Sequence, residues 1–151
     1  MKKLEIYIDG ASKGNPGHSG VGVVILENGE TIKNISQYIG KATNNVAEYT
    51  ALIYGLQEAL ILKARDVLVK TDSELMARQL NGQYAVKHGN IKPLFDQVKH
   101  LYSGFRSVEV VHVPREENAR ADRLARRALK ANQDGRSDAF GVGEESPSSE
   151  G

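Results

Sequence analysis

Residues 4–29 read LEIYIDGASKGNPGHSGVGVVILENG. Leu4, Ile6 and Ile8 alternate with Glu5 and Tyr7, the period of two that sets apolar side chains on one face of a strand. A Gly-rich stretch then leads into the apolar run Val21 to Leu26, so the segment reads as strand, loop, strand. Asn28-Gly29 tolerates the positive backbone angles that a two-residue hairpin turn requires. Thr31 to Tyr38 is therefore predicted to return antiparallel and complete a three-stranded meander, which Gly40 ends.

Downstream the period changes. Val46, Tyr49, Ile53, Leu56 and Leu60 recur three and four apart, an apolar stripe that predicts a helix from about Asn45 to Leu62. Asp66 to Thr71 reads as a short buried strand, Ser73 to Leu80 as a short helix, and Ile91 to Tyr102 as a helix with Leu94, Phe95, Val98 and Leu101 inward. Val108 to Val113 is the last predicted strand. Asn118 to Ala131, rich in Ala, Leu and Arg, is the last predicted helix. The order β-β-β-α-β-α-α-β-α places the chain in the α/β class, with a mixed sheet whose antiparallel half adjoins a parallel half carrying crossover helices.

The chain has 151 residues, of which 40% are hydrophobic and 26% charged, the profile of one globular domain. No apolar run approaches the roughly 20 residues of a membrane helix, and Met1 to Gly10 lacks the apolar core of a secretory signal. The expectation is a cytoplasmic monomer with no membrane partner. Cysteine is absent, which excludes disulfides, thiolate nucleophiles and thiolate zinc sites. A metal would have to sit on carboxylates or His, a preference that favours Mg²⁺ or Mn²⁺.

A net charge of +1 hides a polarity along the chain. Residues 1–131 carry 19 Lys and Arg against 14 Asp and Glu, whereas residues 132–151 carry one Arg against five acids. Six cations lie between Arg115 and Lys130, a cluster that suits either phosphates or water. Residues 1–131 are expected to form the folded domain. Residues 132–151, rich in Gly, Ser and acids with only Phe140 and Val142 as sizeable apolar residues, are expected to be a disordered acidic tail.

Four acids stand at positions that could carry chemistry, and each also has an ordinary structural explanation. Asp9, at the expected end of the first strand and followed by Gly10, suits a turn-initiating Asp. Glu48 lies three residues after Asn45, the spacing of a capping box. Asp72 follows a strand and precedes a helix, as a helix N-cap does. Asp122 precedes Arg126 by four residues, the geometry of a surface ion pair. Jointly they differ from the sum, because a mixed sheet can bring two strand-end acids beside two helical ones. Clustered carboxylates repel one another unless divalent ions neutralise them. Gly14-Asn15-Pro16-Gly17 suits a Pro-Gly turn or a backbone approach to sugar and phosphate. It lacks the Gly-Lys-Ser/Thr of a Walker loop. Thr43, Asn44 and Asn45 are helix-capping types that also suit contacts to sugars and groove edges. His112 and Arg115, expected in the loop before the last helix, suit structural or solvated roles equally.

Taken together, Tyr7-Ile8-Asp9-Gly10-Ala11-Ser12 with Gly14-Asn15-Pro16-Gly17, then Thr43-Asn44-Asn45-Val46-Ala47-Glu48, Thr71-Asp72-Ser73 and Asn118-Ala119-Arg120-Ala121-Asp122 closely resemble ribonuclease H of type 1. The resemblance covers residues 2–131, with the motifs in the family's order. It implies the ribonuclease H-like fold, a five-stranded mixed sheet in order 3-2-1-4-5 with helices on both faces. It implies two Mg²⁺ ions, with Mn²⁺ as substitute. Asp9 would bridge both ions, Asp122 would complete the one that activates water, and Glu48 and Asp72 would hold the one nearer the leaving group. The implied reaction is endonucleolytic hydrolysis of the RNA strand of RNA:DNA hybrids, leaving 5′-phosphate and 3′-hydroxyl ends. Gly10, Ala11, Ser12, Asn15 and Glu48 would lie near ribose 2′-hydroxyls, and Thr43, Asn44 and Asn45 would serve the DNA strand.

Two departures from the family pattern stand out. Glu74 occupies a place where similar enzymes carry a Gln that touches the minor groove. The short path from Leu80 to Ile91 also lacks the basic protrusion with which some relatives grip substrate. His112 and Arg115 both remain candidates for assisting proton transfer or product release. Double-stranded RNA is a second candidate substrate. The alternative from another class is a non-catalytic module that binds hybrids or double-stranded RNA on the same fold.

Overall fold

The computed structural model describes residues 2–87 and 89–133. Five strands form one sheet in the order β3-β2-β1-β4-β5: β1 Lys3–Gly14, β2 Gly17–Glu27, β3 Glu30–Ala42, β4 Asp66–Thr71 and β5 Ser107–His112. The β1-β2 and β2-β3 pairs are antiparallel, and the β1-β4 and β4-β5 pairs parallel. Among the described residues four α-helices complete the fold, namely α1 Asn44–Ile61, α2 Glu74–Leu80, α3 Ile91–Tyr102 and α4 Ala119–Gln133. The strand order is the one that the resemblance implied.

The two halves of the sheet reach different heights, and that difference creates the site. The Gly-rich stretch is not the loose connection expected. β1 runs on to Gly14 and pairs with β2 as far as Gly14 opposite Gly17, because residues 10–13 keep a regular ladder against residues 18–21. The β1-β4 ladder, by contrast, stops at Ile8 opposite Thr71. Asp9 therefore lies inside a strand rather than at its end, at the level where β1 and β4 part company. Gly40 does not end β3 either. It sits within the strand at φ +84°, next to a register shift between Ser19 and Gly20.

The main core lies between the sheet and α1 and α3. Leu4, Ile6, Ile8, Val21, Val23 and Ile25 project from the strands onto Tyr49, Leu52 and Leu56 of α1, with Val98 of α3 behind. The opposite face of the sheet packs α4, through Ala121 and Leu124 against Val24. A Cβ at Gly22 would run into the Ala121 carbonyl oxygen, and one at Gly20 would come within 2.6 Å of the Ala125 carbonyl oxygen. The bare backbone of β2 is thus what lets α4 lie against the sheet. α4 extends to Gln133, so Asn132 and Gln133, expected in the tail, are helical. The rest of the expected disordered tail lies outside the described residues.

Candidate active site

Asp9, Glu48 and Asp72 converge where the parallel half of the sheet ends. One carboxylate oxygen of each lies within 4.8 Å of the others. Three local features aim them. Asp9 points to the α4 face of β1, whereas its neighbour Gly10 faces α1. A Cβ at Gly10 would meet the backbone of Ala47 at 2.6 Å, so the glycine admits the first turn of α1 onto β1 and brings Glu48 beside Asp9. The cap of that helix is Thr43, whose Oγ1 accepts from the Val46 N–H at 3.1 Å. Glu48 is thereby free of the capping box that its spacing from Asn45 suggested. Likewise the cap of α2 is Ser73, which accepts from the Met76 N–H at 3.2 Å, and Asp72 is left to face the cluster.

Asp122 stands in the first turn of α4. Its Oδ2 accepts from Arg126 at 2.5 Å, so the ion pair suggested by the sequence exists, and its carboxyl is near enough to Asp9 to raise that group. It lies outside the tight group of three.

The electrostatics of the cluster are unfavourable as it stands. Asp9 and Glu48 are only 6% and 9% exposed, and none of the described ion pairs involves Asp9, Glu48 or Asp72. Burial, the negative charge of Asp72 and the hydrogen bond with Asp122 push the Asp9 carboxyl from 3.8 up to about 7. Burial and then the charge of Asp9 raise Glu48 well above the usual carboxylate range. The Gly10 backbone N–H partly offsets this, yet Glu48 Oε1 is buried without a hydrogen-bond partner. Hard oxygen donors, one of them an orphaned buried carboxylate oxygen, fit a divalent cation of the Mg²⁺ or Mn²⁺ kind.

The other singled-out residues fall into three places. Ser12, Asn15, Thr43 and Asn44 meet at the β1-β2 turn. There Ser12 Oγ is 2.6 Å from Ser19 Oγ, and the Asn15 side-chain oxygen accepts from the Asn44 N–H at 2.9 Å. This second bond clips the hairpin to the start of α1, with Asn45 half-buried next in the chain and Ala11 opposite Gly20 in the ladder. On the opposite flank of the acids, Glu74 is bound by Arg78 at 2.8 Å. That bond, with a smaller contribution from the nearby His112, holds the Glu74 carboxyl below its ordinary value. His112 closes β5 rather than lying in a loop, and Arg115 opens a 3-10 turn, Arg115–Asn118. Both are exposed.

Sequence reasoning missed Asn118. Periodicity marks it only as the residue opening the last helix, where an Asn is ordinarily a cap. In the structure it is fully buried, and its side-chain amide donates to the Ile8 carbonyl at 2.8 Å.

The profile of the reverse transcriptase-like family matches residues 7–128. RNase H1 from the halophilic archaeon Halobacterium salinarum NRC-1 superposes with a TM-score of 0.83 at 38% identity, over 85% of this chain and 98% of that one. The chain belongs to the ribonuclease H family. A second crystallised relative, LC11-RNase H1 in complex with an RNA/DNA hybrid, shares 41% identity and a TM-score of 0.83, over 86% of this chain and 99% of that one. Among curated proteins, the bifunctional protein Rv2228c of Mycobacterium tuberculosis is 43% identical over 131 residues, which are 85% of this chain and 36% of that protein. This ribonuclease H-family chain thus spans about a third of the length of that relative. No helix among the described residues is long and apolar enough to cross a membrane.

Proposed function

We propose that the chain is an endonuclease that hydrolyses the RNA strand of RNA:DNA hybrids with divalent cations. The carrying observation is the convergence of Asp9, Glu48 and Asp72 within 4.8 Å around an orphaned Glu48 oxygen. Asp9, Glu48, Asp72 and Asp122 would hold two Mg²⁺ ions, or Mn²⁺ in their place. Ions bound there supply Lewis acidity to both sides of an in-line displacement at phosphorus. Water attacks phosphorus, the bond to the 3′ oxygen breaks, and the proton passes to that oxygen, leaving 5′-phosphate and 3′-hydroxyl ends. His112 and Arg115, at the exposed end of β5 and the turn after it, would assist that proton or the departing product.

The same face would recognise the two strands. Gly10, Ala11 and Ser12 follow Asp9 along β1, Asn15 stands in the turn after it, and these residues suit the ribose 2′-hydroxyls that distinguish RNA. Thr43, Asn44 and Asn45 at the start of α1 suit the DNA strand, and the Asn15 to Asn44 bond couples the two surfaces. Glu74, held by Arg78, presents a carboxylate that can accept from a guanine amino group in the minor groove. The LC11-RNase H1 complex with an RNA/DNA hybrid supports this substrate class. Residues 1–131, with α4 carrying on to Gln133, would form the catalytic domain. The chain would act as a monomer in the cytoplasm.

Incubating end-labelled hybrid with the protein, with and without Mg²⁺, tests the proposal. Cleavage of the RNA strand only with the ion is expected. Binding without cleavage under both conditions would replace it with the hybrid-binding module, and double-stranded RNA in a parallel lane reads the breadth of substrate.

A further inference from the structure

Where β1 and β4 part, their last pair is Ile8 opposite Thr71; Asp9 continues β1, and Asp72 is the residue that follows β4. The gap between the diverging backbones is bridged by one side chain. Asn118 Nδ2 donates to the Ile8 carbonyl at 2.8 Å and to Asp72 Oδ2 at 3.3 Å. A backbone carbonyl oxygen can only accept, so the bond to Ile8 fixes which way the amide faces. Asn118 is 0% exposed and closes the 3-10 turn that leads directly into α4. Asp122 follows it by four residues, one helical turn.

One buried amide thus touches the frame of three acids. It anchors the backbone immediately before Asp9, contacts the carboxylate of Asp72, and fixes the root of the helix that carries Asp122. We propose that Asn118 is a positioning residue for divalent-cation binding. It sets the separation of Asp9, Asp72 and Asp122, and turns one Asp72 oxygen toward itself so that the other is presented to the cation. This inference rests on the metal-dependent nuclease assignment above. Groups that hydrogen-bond metal-ligating carboxylates commonly change metal affinity about 10- to 100-fold when removed.

The decisive variant is Asn118→Asp, which keeps the shape of the side chain and replaces its donor by a carboxylate oxygen facing the Ile8 carbonyl and Asp72. Asn118→Ser, which keeps a single donor, is the companion should the aspartate fail to fold. Mn²⁺ binding to the full chain would be titrated by calorimetry without nucleic acid, alongside the half-saturating Mg²⁺ concentration for cleavage and the hybrid Kd in EDTA. The aspartate should weaken Mn²⁺ about tenfold or more, and the serine by less. The Mg²⁺ requirement should rise in parallel while the hybrid Kd stays within about twofold. If either folded variant binds Mn²⁺ as the unaltered chain does, and only its Tm falls, Asn118 is a packing residue and the inference is overturned. If the unaltered chain binds no Mn²⁺ at all, the metal-site assignment fails first and takes this inference with it.

Discussion

A carboxyl raised to about 7 by burial and by two acidic neighbours is half protonated at neutral pH, and that has a measurable sign. The folded chain without metal binds more protons than the unfolded chain between roughly pH 4 and pH 7, since an unfolded Asp titrates near 3.9. Its stability should therefore rise as pH falls through that window and be lost as pH climbs through 7. Glu48, raised in the same direction, adds to the trend. Asp66, lowered mainly by its hydrogen bond with Arg106, runs the other way but is a surface pair of small weight. Thermal unfolding in EDTA from pH 5 to pH 8.5 should show the decline. Asp9→Asn should flatten it, melt higher than the unaltered chain at pH 8, abolish cleavage and leave hybrid binding largely intact. Parallel curves for the two proteins would exclude Asp9 as the strained group. His112 and Arg115 can be separated at the same scale. His112→Ala or Arg115→Ala should reduce turnover severalfold with little change in hybrid affinity, and no effect from either would remove both from the proton and product steps.

At the scale of elements, the site depends on how closely two helices approach the sheet. Gly22→Ala would press a methyl group into the Ala121 carbonyl, and such overpacking costs about 1–3 kcal/mol. Gly29→Ala, with nothing within 4 Å but φ at +82°, costs about 1–2 kcal/mol through backbone strain alone. Similar losses of Tm should thus part company in activity. The Gly22 variant should lose turnover because Asp122 moves with α4, whereas the Gly29 variant, altered in a remote hairpin turn, should keep it. Equal turnover in both would show that α4 can shift without disturbing the acids.

The same glycines show what the sequence could and could not reveal. Apolar residues placed β4, through Val67, Leu68 and Val69, and α3, through Leu94, Phe95, Val98 and Leu101, with the bounds observed, because large apolar residues announce their burial. The sheet-facing side of α1, however, includes Ala51, Gly55 and Ala59, residues too small to make a hydrophobic stripe, and so the legible stripe through Tyr49 and Ile53 marked only part of the buried surface. Small residues likewise hid the long β1-β2 ladder, whose Gly14, Gly17, Gly20 and Gly22 resemble a loop. At the site, the four acids stood out by type and order. Which of their neighbours would cap a helix did not, since Thr43 and Asn45, or Ser73 and Asp72, compete with similar cap preference.

Over the whole molecule, the charge pattern predicts how substrate is held. The described residues carry no long basic insertion between Leu80 and Ile91, and the exposed cations of α4 stand in its place. Arg123, Arg127 and Lys130 are all exposed and fall on one stripe at spacings of four and three. The stripe begins one residue after Asp122, and its cations would be available to the phosphates of a duplex bound at the acids. Binding carried mainly by phosphate contacts releases counterions, and affinity then falls steeply with salt, by about one unit of logarithmic slope for each contact. Hybrid affinity, measured by fluorescence anisotropy on the Asp9→Asn protein between 50 and 200 mM salt (about the range over which such slopes are read), should therefore drop markedly. The double variant Arg123→Gln, Arg127→Gln should weaken binding to hybrids of every sequence alike and reduce the slope by about two. A stability change is not expected, because both side chains are solvated. An affinity nearly flat across that salt range would mean that neutral contacts around Asn15, Thr43 and Asn44 hold the substrate instead. The arginines of α4 would then be no more than its solvent-facing side.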